Sequence, residues 1–415
     1  MPWVGEIMRI IVQKFGGTSV HTRELREKAA AKVKEAWEEG FAPVVVVSAM
    51  GRKGAPYATD TLIALAQEEF PEVDARNLDL LLSCGEIISS VIMVQTLRRV
   101  GLRGIALTGG QAGIVTNGVF GDATVIRVEP ERIRKYLENG YVVVVAGFQG
   151  MTEDGEITTL GRGGSDTTAV VLGVALQADY VDIFTDVEGV MTADPRIVPE
   201  AQILKGLTYT EAAEIVQQGA KVIHHKAMDI AREYRIPIRV RSLSDESKGT
   251  LICDIQTLVR EGLRVFSHER PVYSIAYRKG LTQFRVDFGS NPERKLQMFQ
   301  VLAAHGVSID LINLFPERAA FVVDERVGEK VKTILSREDF VFEMKSPCAK
   351  VSLVGSGMAD RPGVMAQVVE ALREAEVEIF QTSDSHVTIS CLVDEKDMER
   401  AIRVLHRKFQ LDELC

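Results

Sequence analysis

Hydrophobic positions follow two different rhythms along this chain. From about Ile10 to Ser242, short apolar runs alternate with longer stretches of helical composition, and the runs include residues 43–47, 141–145, 180–184 and 236–240. Unbroken valine leaves such a strand no polar face. Strands of that kind are buried on both sides, which predicts a mainly parallel sheet covered by helices. Helical partners fit between them. Residues 25–37 are rich in Lys, Glu and Ala, and residues 168–176 in Ala and Val. Each apolar run ends in Gly, Ser or Asp, and parallel sheets present their ligand sites at the carboxyl ends of strands.

After a polar stretch at 242–249 (SLSDESKG) the elements shorten and the strands alternate in polarity. Residues 350–354 read as a strand, and Val364, Val368 and Leu372 mark one helix face. Strands at 377–379 and 388–393 follow, and Ala401, Ile402, Leu405 and Phe409 mark a second helix. The order β-α-β-β-α is most of a ferredoxin-like unit. An upstream segment repeats it, with strands at 284–288, 307–312 and 320–323 and helices at 296–304 and 327–335. The architecture expected is therefore an α/β domain followed by two tandem α+β units, and repetition by itself establishes nothing beyond that. A strand at the extreme C-terminus is a candidate to complete the first of the two.

A length of 415 residues is compatible with two to four domains, and 46% hydrophobic with 26% charged residues suits a chain that buries a core. The same figures exclude a disordered, collagen-like or disulfide-scaffold chain. The net charge of −9, with no dense basic cluster, argues against a nucleic-acid or anionic-membrane surface. No apolar run reaches the ~18–20 residues of a membrane span, and the opening MPWVGEIMRIIVQKF does not read as a secretion signal. Cys84, Cys253, Cys348, Cys391 and Cys415 show no paired or zinc-like spacing, which favours reduced thiols in a cytoplasm.

The chain has no P-loop and no protein-kinase loop set. Gly355-Ser356-Gly357 lacks the third glycine of a dinucleotide fingerprint and sits in a unit too small for one. The first strand ends in V-Q-K-F-G-G-T-S, residues 12–19. Two glycines let backbone amides approach an anion, and Lys14 adds a full charge; a surface lysine before an ordinary turn would look the same. Ser48 ends a valine run and could meet a polar substrate. Thr59 or Asp60 would also serve simply to cap a helix. Glu86, in Ser83-Cys84-Gly85-Glu86, lies within an apolar stretch, where a carboxylate is costly unless paired. It is either an exposed helix residue or a buried group facing Lys14 or an amino group, and Cys84 reads as a small core residue. Gly161-Arg162-Gly163-Gly164-Ser165-Asp166 opens a helix whose free amides favour an anion. Arg162 can grip a carboxylate in bidentate fashion and Asp166 can receive an ammonium, which together suit a zwitterionic amino acid. A capped glycine turn uses the same residues. Thr185 to Arg196 forms a Gly-, Asp- and Pro-containing loop at a strand end, where Asp186 could serve a nucleotide or its magnesium and Arg196 a phosphate. His224 and His225 are adjacent and so point apart, and no metal site is expected there.

These segments, in this order, resemble the aspartate kinases of the amino-acid-kinase superfamily. The matching pieces are K-F-G-G-T-S, V-V-V-S-A-M-G, S-C-G-E, G-R-G-G-S-D-T-T-A, T-D-V-E-G-V-M-T-A-D-P-R and G-A-K-V-I-H, from about Ile10 to Cys253. The C-terminal pair looks like that family's tandem ACT domains. The long spacer from Gly51 to Asp60 looks like the diaminopimelate-sensitive type. The resemblance implies a catalytic domain at 8–243, a linker at 244–270 and ACT domains at 271–342 and 343–415. It implies ATP- and Mg²⁺-dependent phosphorylation of the β-carboxylate of L-aspartate to 4-phospho-L-aspartate, the first step toward lysine, diaminopimelate, threonine and methionine. A feedback effector at the ACT domains and a cytoplasmic homodimer or larger homo-oligomer are expected, with no nucleic-acid or membrane partner.

The resemblance also implies roles. Lys14, Phe15, Gly16, Gly17 and Ser19 would cradle the transferring phosphoryl group. Ser48, Thr59, Glu86, Arg162, Gly163, Gly164, Ser165 and Asp166 would position aspartate, with Arg162 on its α-carboxylate. Thr185, Asp186, Met191, Asp194, Arg196 and Lys221 would serve the nucleotide. Ser290, Asn291, Ile309, Asp310 and Asn313 are the effector candidates. Three positions depart from the family pattern: Met191 replaces a common Tyr, His225 a common Pro, and Ser290-Asn291-Pro292-Glu293 a D-x-P-G loop that is intact at Asp360-Arg361-Pro362-Gly363. Another carboxylate kinase of the same fold, or a catalytically silent amino-acid sensor, are the competing readings.

Overall fold

The valine runs become the buried middle of a large sheet in the computed structural model, which describes residues 8–220, 222–244, 248–263, 271–289, 291–358 and 361–413. Its early strands are β1 (Arg9–Phe15), β2 (Phe41–Val47) and β3 (Gly104–Leu107), then β4 (Ile114–Thr116), β5 (Val125–Val128) and β6 (Val142–Ala146). A short pair, β7 (Gln149–Met151) and β8 (Ile157–Thr159), precedes β9 (Tyr180–Thr185), β10 (Gly206–Thr208), β11 (Ile238–Ser242) and β12 (Thr250–Cys253). The helices are α1 (Arg23–Glu38), α2 (Thr59–Glu69), α3 (Ala75–Arg99), α4 (Glu131–Glu138), α5 (Gly164–Leu176), α6 (Tyr209–Gln217), α7 (His225–Tyr234) and α8 (Ile255–Arg260).

The eight-stranded sheet runs β10-β12-β11-β9-β1-β2-β6-β3. Every pairing is parallel except β11 with β12. β2 and β6 are buried at every position, and α1, α3 and α5 pack on β2, as strands without a polar face require. A small sheet, β5-β4-β7-β8, stands apart from it. α3 is one unbroken helix containing S-C-G-E. Gly85 lies inside it because a side chain there would meet the Tyr57 carbonyl oxygen at 2.8 Å and Ala49 Cβ at 2.9 Å. By length and composition α3 could cross a membrane, which a search for unbroken apolar runs overlooks. It packs instead against β3, β6 and β8, with Asp79 and Glu86 buried.

The chain divides into two compact units. The first comprises Met1–Val190, Ile203–Val216 and Lys221–Val265; the second comprises Met191–Gln202, Gln217–Ala220 and Phe266–Cys415. The second unit holds β13 (Val272–Asp287), α9 (Pro292–Ala304), β14 (Asp310–Leu314), β15 (Arg318–Asp324), α10 (Glu325–Arg337), β16 (Val341–Gly355), α11 (Val364–Glu374), β17 (Gln381–Asp384), β18 (Thr388–Asp394) and α12 (Met398–Lys408). Its antiparallel sheet runs β14-β15-β13-β16-β18-β17. β13 and β16 pair along nearly their whole lengths, Val272 opposite Gly355 and Asp287 opposite Val341, so each strand serves both halves of the sheet.

Three expectations change. Residues 377–379 are not a strand, and the pairing starts at Gln381. The strand expected from Val307 begins at Asp310. The described C-terminus is α12 followed by a 3-10 turn, Leu411–Glu413, so no terminal strand completes the first half. Its place is reversed: the leading part of β13 pairs with the trailing part of β16 and so completes the second half. Two inserted segments belong to this unit. The Ile275 amide donates to the Thr192 carbonyl at 2.8 Å, and the Thr192 hydroxyl lies 2.9 Å from His406 Nε2. Gly219, at φ +122°, sits where a Cβ would come within 2.2 Å of the Tyr277 carbonyl oxygen.

Phe284 is fully buried against Phe321, ring centroids 5.6 Å apart, in the core under α9 and α10. Phe284→Ala is expected to cost about 3–5 kcal/mol in urea denaturation. Leu296→Ala, on the exposed face of α9, is expected to stay within about 0.5 kcal/mol of the parent.

Candidate active site

The carboxyl ends of β1, β2 and β9 lie at one edge of the parallel sheet, because Phe15 pairs with both Val47 and Phe184. Gly16, Ser48 and Thr185 therefore leave adjacent strands together. Lys14 reaches from β1 to Asp166, its ammonium 2.7 Å from Oδ1, with both side chains only 13% exposed. This is not the surface lysine of an ordinary turn. Gly17 packs so closely that a Cβ would strike the Ala49 carbonyl oxygen at 2.5 Å and that of Gly51 at 2.9 Å. The Gly51 amide donates to the Gly17 carbonyl at 3.0 Å, and the Ser48 amide to Phe15 at 3.2 Å. The loops after β1 and β2 thus interlock, with Ser19 buried beneath them.

Asp166 stands in the first turn of α5, which begins at Gly164, four residues earlier than expected. The N-cap is Gly163 at φ +69°, and a side chain there would meet the His224 ring at 2.0 Å. No side chain caps this helix; the Gly164 amide donates to the Gly161 carbonyl at 3.1 Å, and the amides of Ser165 and Asp166 remain available to an anion. The His224 amide donates to Asp166 Oδ2 at 3.1 Å. Gly164 and Ser165 are buried, while Arg162 is exposed and makes no ion pair among the described residues.

Glu86 is buried on α3 and accepts from the Ala49 amide at 3.0 Å through Oε1, while Oε2 has no partner. Burial pushes its carboxyl up to about 8 against the lowering effect of that amide. The exposed-helix alternative is wrong for Glu86. Cys84 is the residue on the outer face, exposed rather than a small core residue, because it lies two positions round the helix. Thr59 and Asp60 do not cap α2. Its N-cap is Ala58, and Thr59 is the first helical residue. Thr185 donates to Asp186 at 3.2 Å, and Asp186 faces Arg52 at 3.4 Å.

Met191, Asp194 and Arg196 belong to the second unit. There Asp194 accepts from Arg196 at 2.9 and 2.7 Å and from the Tyr277 hydroxyl at 2.9 Å, and the guanidinium holds its carboxyl below the usual range. Lys221 and Ser290 lie outside the described residues, as does Asp360. Asn291 caps α9, Ile309 packs on the Phe284 core, Asp310 pairs with Lys350 at 2.8 Å, and Asn313 sits on β14. No group of three or more His, Cys, Asp or Glu side chains suitable for a metal occurs among the described residues.

Asp79 was missed in the sequence. Its buried carboxylate, two turns before Glu86 on α3, accepts from the Gly121 amide at 2.9 Å and from the Thr159 amide and hydroxyl at 2.7 Å each. It holds the end of β8, two residues before Gly161. The available signal was the seven-residue spacing of two acids in one apolar helix, which puts both on the same inward face.

A lysine, glycine amides and an open helix N-terminus around strand ends can hold and align a phosphoryl group, while Glu86, Arg162 and Asp166 offer complementary charges to an amino acid. The model of the amino acid kinase family matches residues 9–242, and that of an ACT domain residues 343–407. Aspartokinase 1 of Bacillus subtilis is 47% identical over 405 residues, 97% of this chain and 100% of that one. The aspartokinase of Geobacillus stearothermophilus is 41% identical over 98% of each chain. The solved E. coli aspartokinase III in complex with aspartate and ADP superposes with a TM-score of 0.76 at 26% identity, over 97% of this chain and 100% of that one. The fold and site define a member of the amino acid kinase family with an appended ACT region. Within it, the chain belongs to the aspartokinases, and the enzyme is an aspartate kinase.

Asp79→Ala is expected to lower stability by about 3 kcal/mol, because the buried Thr159 amide and hydroxyl and the Gly121 amide lose a charged acceptor. Urea denaturation checks this, and Asp79→Asn is expected to recover part of the loss.

Proposed function

We propose that Lys14, the Gly16–Gly17 amides and the N-terminus of α5 carry the transferring phosphoryl group of ATP, while Glu86, Arg162 and Asp166 hold aspartate. The observation that carries this reading is the Lys14–Asp166 pair, which joins the strand leading into the phosphate-suited loop to the amino-acid-suited helix at 2.7 Å. The side chain of aspartate is ionised at neutral pH, with a pKa of about 3.9, so no general base is needed. The obstacle is repulsion between an anionic nucleophile and an anionic phosphate. The remedy is charge neutralisation and in-line alignment. The residues present suit a Mg²⁺ that arrives with the nucleotide: the exposed Asp186 carboxylate beside the Thr185 hydroxyl is the one-carboxylate kind of site such ions use together with phosphates. Bound there, the ion would add positive charge at the phosphates.

Arg162, unpaired, would take the α-carboxylate, and the free Oε2 of Glu86 would take the ammonium. The E. coli aspartokinase III solved with lysine and aspartate supports an amino-acid effector for this chain too, with lysine, threonine and diaminopimelate as candidates. Anchoring of Met191–Gln202 within the second unit gives such an effector a route to the nucleotide residues in that segment. The four described cysteines are free, in keeping with a cytoplasmic enzyme. A homodimer or larger assembly is the expected state.

Trapping the acyl phosphate as a hydroxamate, with aspartate, glutamate and N-acetylglutamate in parallel, tests the reading. Signal with aspartate alone is expected, suppressed by one of the three effectors. Lys14→Ala is expected to lower turnover about 10²–10³-fold while aspartate still binds; near-normal turnover would remove the proposed role. Glu86 carries a proton below about 8 and must release it to face an ammonium. Aspartate affinity should therefore rise with pH, approaching about tenfold per unit below that value, and level off above it. Calorimetry in buffers of different ionisation enthalpy should detect the released proton, and Glu86→Gln should abolish it. A pH-independent affinity in the parent enzyme would refute this role for Glu86.

A further inference from the structure

We propose that Arg52 is a phosphate-binding residue of the nucleotide site, held on Asp186 in this structure and passed to the phosphate oxygens when a nucleotide binds. The inference deepens the aspartate-kinase reading above and rests on it. Arg52 directly follows Gly51, whose amide is bonded to the Gly17 carbonyl at 3.0 Å, so its backbone is fixed beside the phosphate-suited loop. Its guanidinium extends to Asp186, 3.4 Å away, just beyond the end of β9, the strand neighbouring β1. Arg52 thus bridges the gap between the two strand-end loops that a nucleoside triphosphate would enter.

Charge accounting points the same way. Lys14 is already matched by Asp166 at 2.7 Å, and Arg162 lies at the amino-acid end of the site. A triphosphate needs a further cation, and a guanidinium fork fits phosphate oxygens in bidentate geometry. Arg52 can make the transfer. Its side chain is 74% exposed and that of Asp186 64%, and an exposed pair of this kind holds weakly. The strap that carries it has glycines at φ +91° (Gly51) and +96° (Gly54). Beyond Arg52 it is tied down by the Gly54 amide on the Thr61 hydroxyl at 3.0 Å, so the arginine moves between two fixed points. Release of Arg52 also frees the Asp186 carboxylate for the nucleotide's own cation.

The test measures a fluorescent ATP analogue with Mg²⁺ by titration, and initial rates by hydroxamate trapping, on the full chain. Arg52→Ala is expected to weaken nucleotide binding and raise KM for ATP by about tenfold or more, with KM for aspartate within about twofold and the melting temperature unchanged. Arg52→Lys should recover part of the loss, and Lys53→Ala should match the parent. Nucleotide affinity in Arg52→Ala within twofold of the parent would overturn the proposal. So would a loss shared equally by Lys53→Ala, which would make it a matter of net loop charge. The titration decides the role of Arg52 even if no acyl phosphate forms from aspartate, so failure of the kinase reading is seen separately in the rates.

Discussion

The ion pair between Lys14 and Asp166 is the constraint on which the site's geometry depends. Each side chain is mostly withdrawn from water, and a withdrawn charge must be matched. Asp166 meets that demand three ways: the Lys14 ammonium, the His224 amide, and its place in the first turn of α5, where the helix dipole favours a negative charge. Lys14 in turn sits on the central strand of a parallel sheet buried on both faces, so it has little freedom to leave. The pair ties β1 to a helix more than a hundred residues later. Anything that exchanges contacts with one partner therefore changes the balance of both.

α3 is the beam behind this pair. An acid at each of two inward positions, seven residues apart, divides its work. Asp79 is satisfied by three protein donors and acts as a clamp on β8 and the Gly121 turn. Glu86 has one donor and one unpartnered oxygen. In a native interior an unmatched carboxylate oxygen is expensive, and this one lies mid-helix, facing the loop after β2. Gly85, immediately before it, is what lets the Ala49 loop come close enough to donate that one bond.

Much of this was legible in the residues themselves. The parallel sheet followed from β2 and β6, whose valines have no polar alternation, and the anion-suited turn before α5 followed from Gly163 and Gly164. These signals are local. The misreadings were of phase and of long-range pairing. Whether Cys84 or Glu86 faces inward depends on the phase of α3, which begins at Ala75, well upstream of both. That β13 completes the second half of its sheet depends on pairing with β16 some seventy residues away. No local preference in a terminal HRKFQLDEL reveals that a strand from elsewhere already fills the position. The membership of Met191, Asp194 and Arg196 in the second unit was likewise invisible, because it rests on bonds from Ile275 and His406 to Thr192.

That last arrangement gives the second unit its mechanical character. Because β13 and β16 run through both halves, a change of twist in one half is imposed on the other; paired strands slip only by losing a ladder of bonds at once. The inserted segment is fastened to β13 by Ser274, Ile275 and Tyr277 and to α12 by Arg403 and His406. Burial lowers the affinity of His406 for a proton, which keeps the ring neutral and able to exchange a hydrogen bond with Thr192 without importing charge. A displacement of β13 therefore carries Thr192 with it, and with Thr192 the loop that also holds Asp194 and Arg196. The loop continues directly from β9, the strand that ends in Thr185. Covalent continuity with β9 at one end and the Thr192 anchor at the other hold this segment at both of its ends.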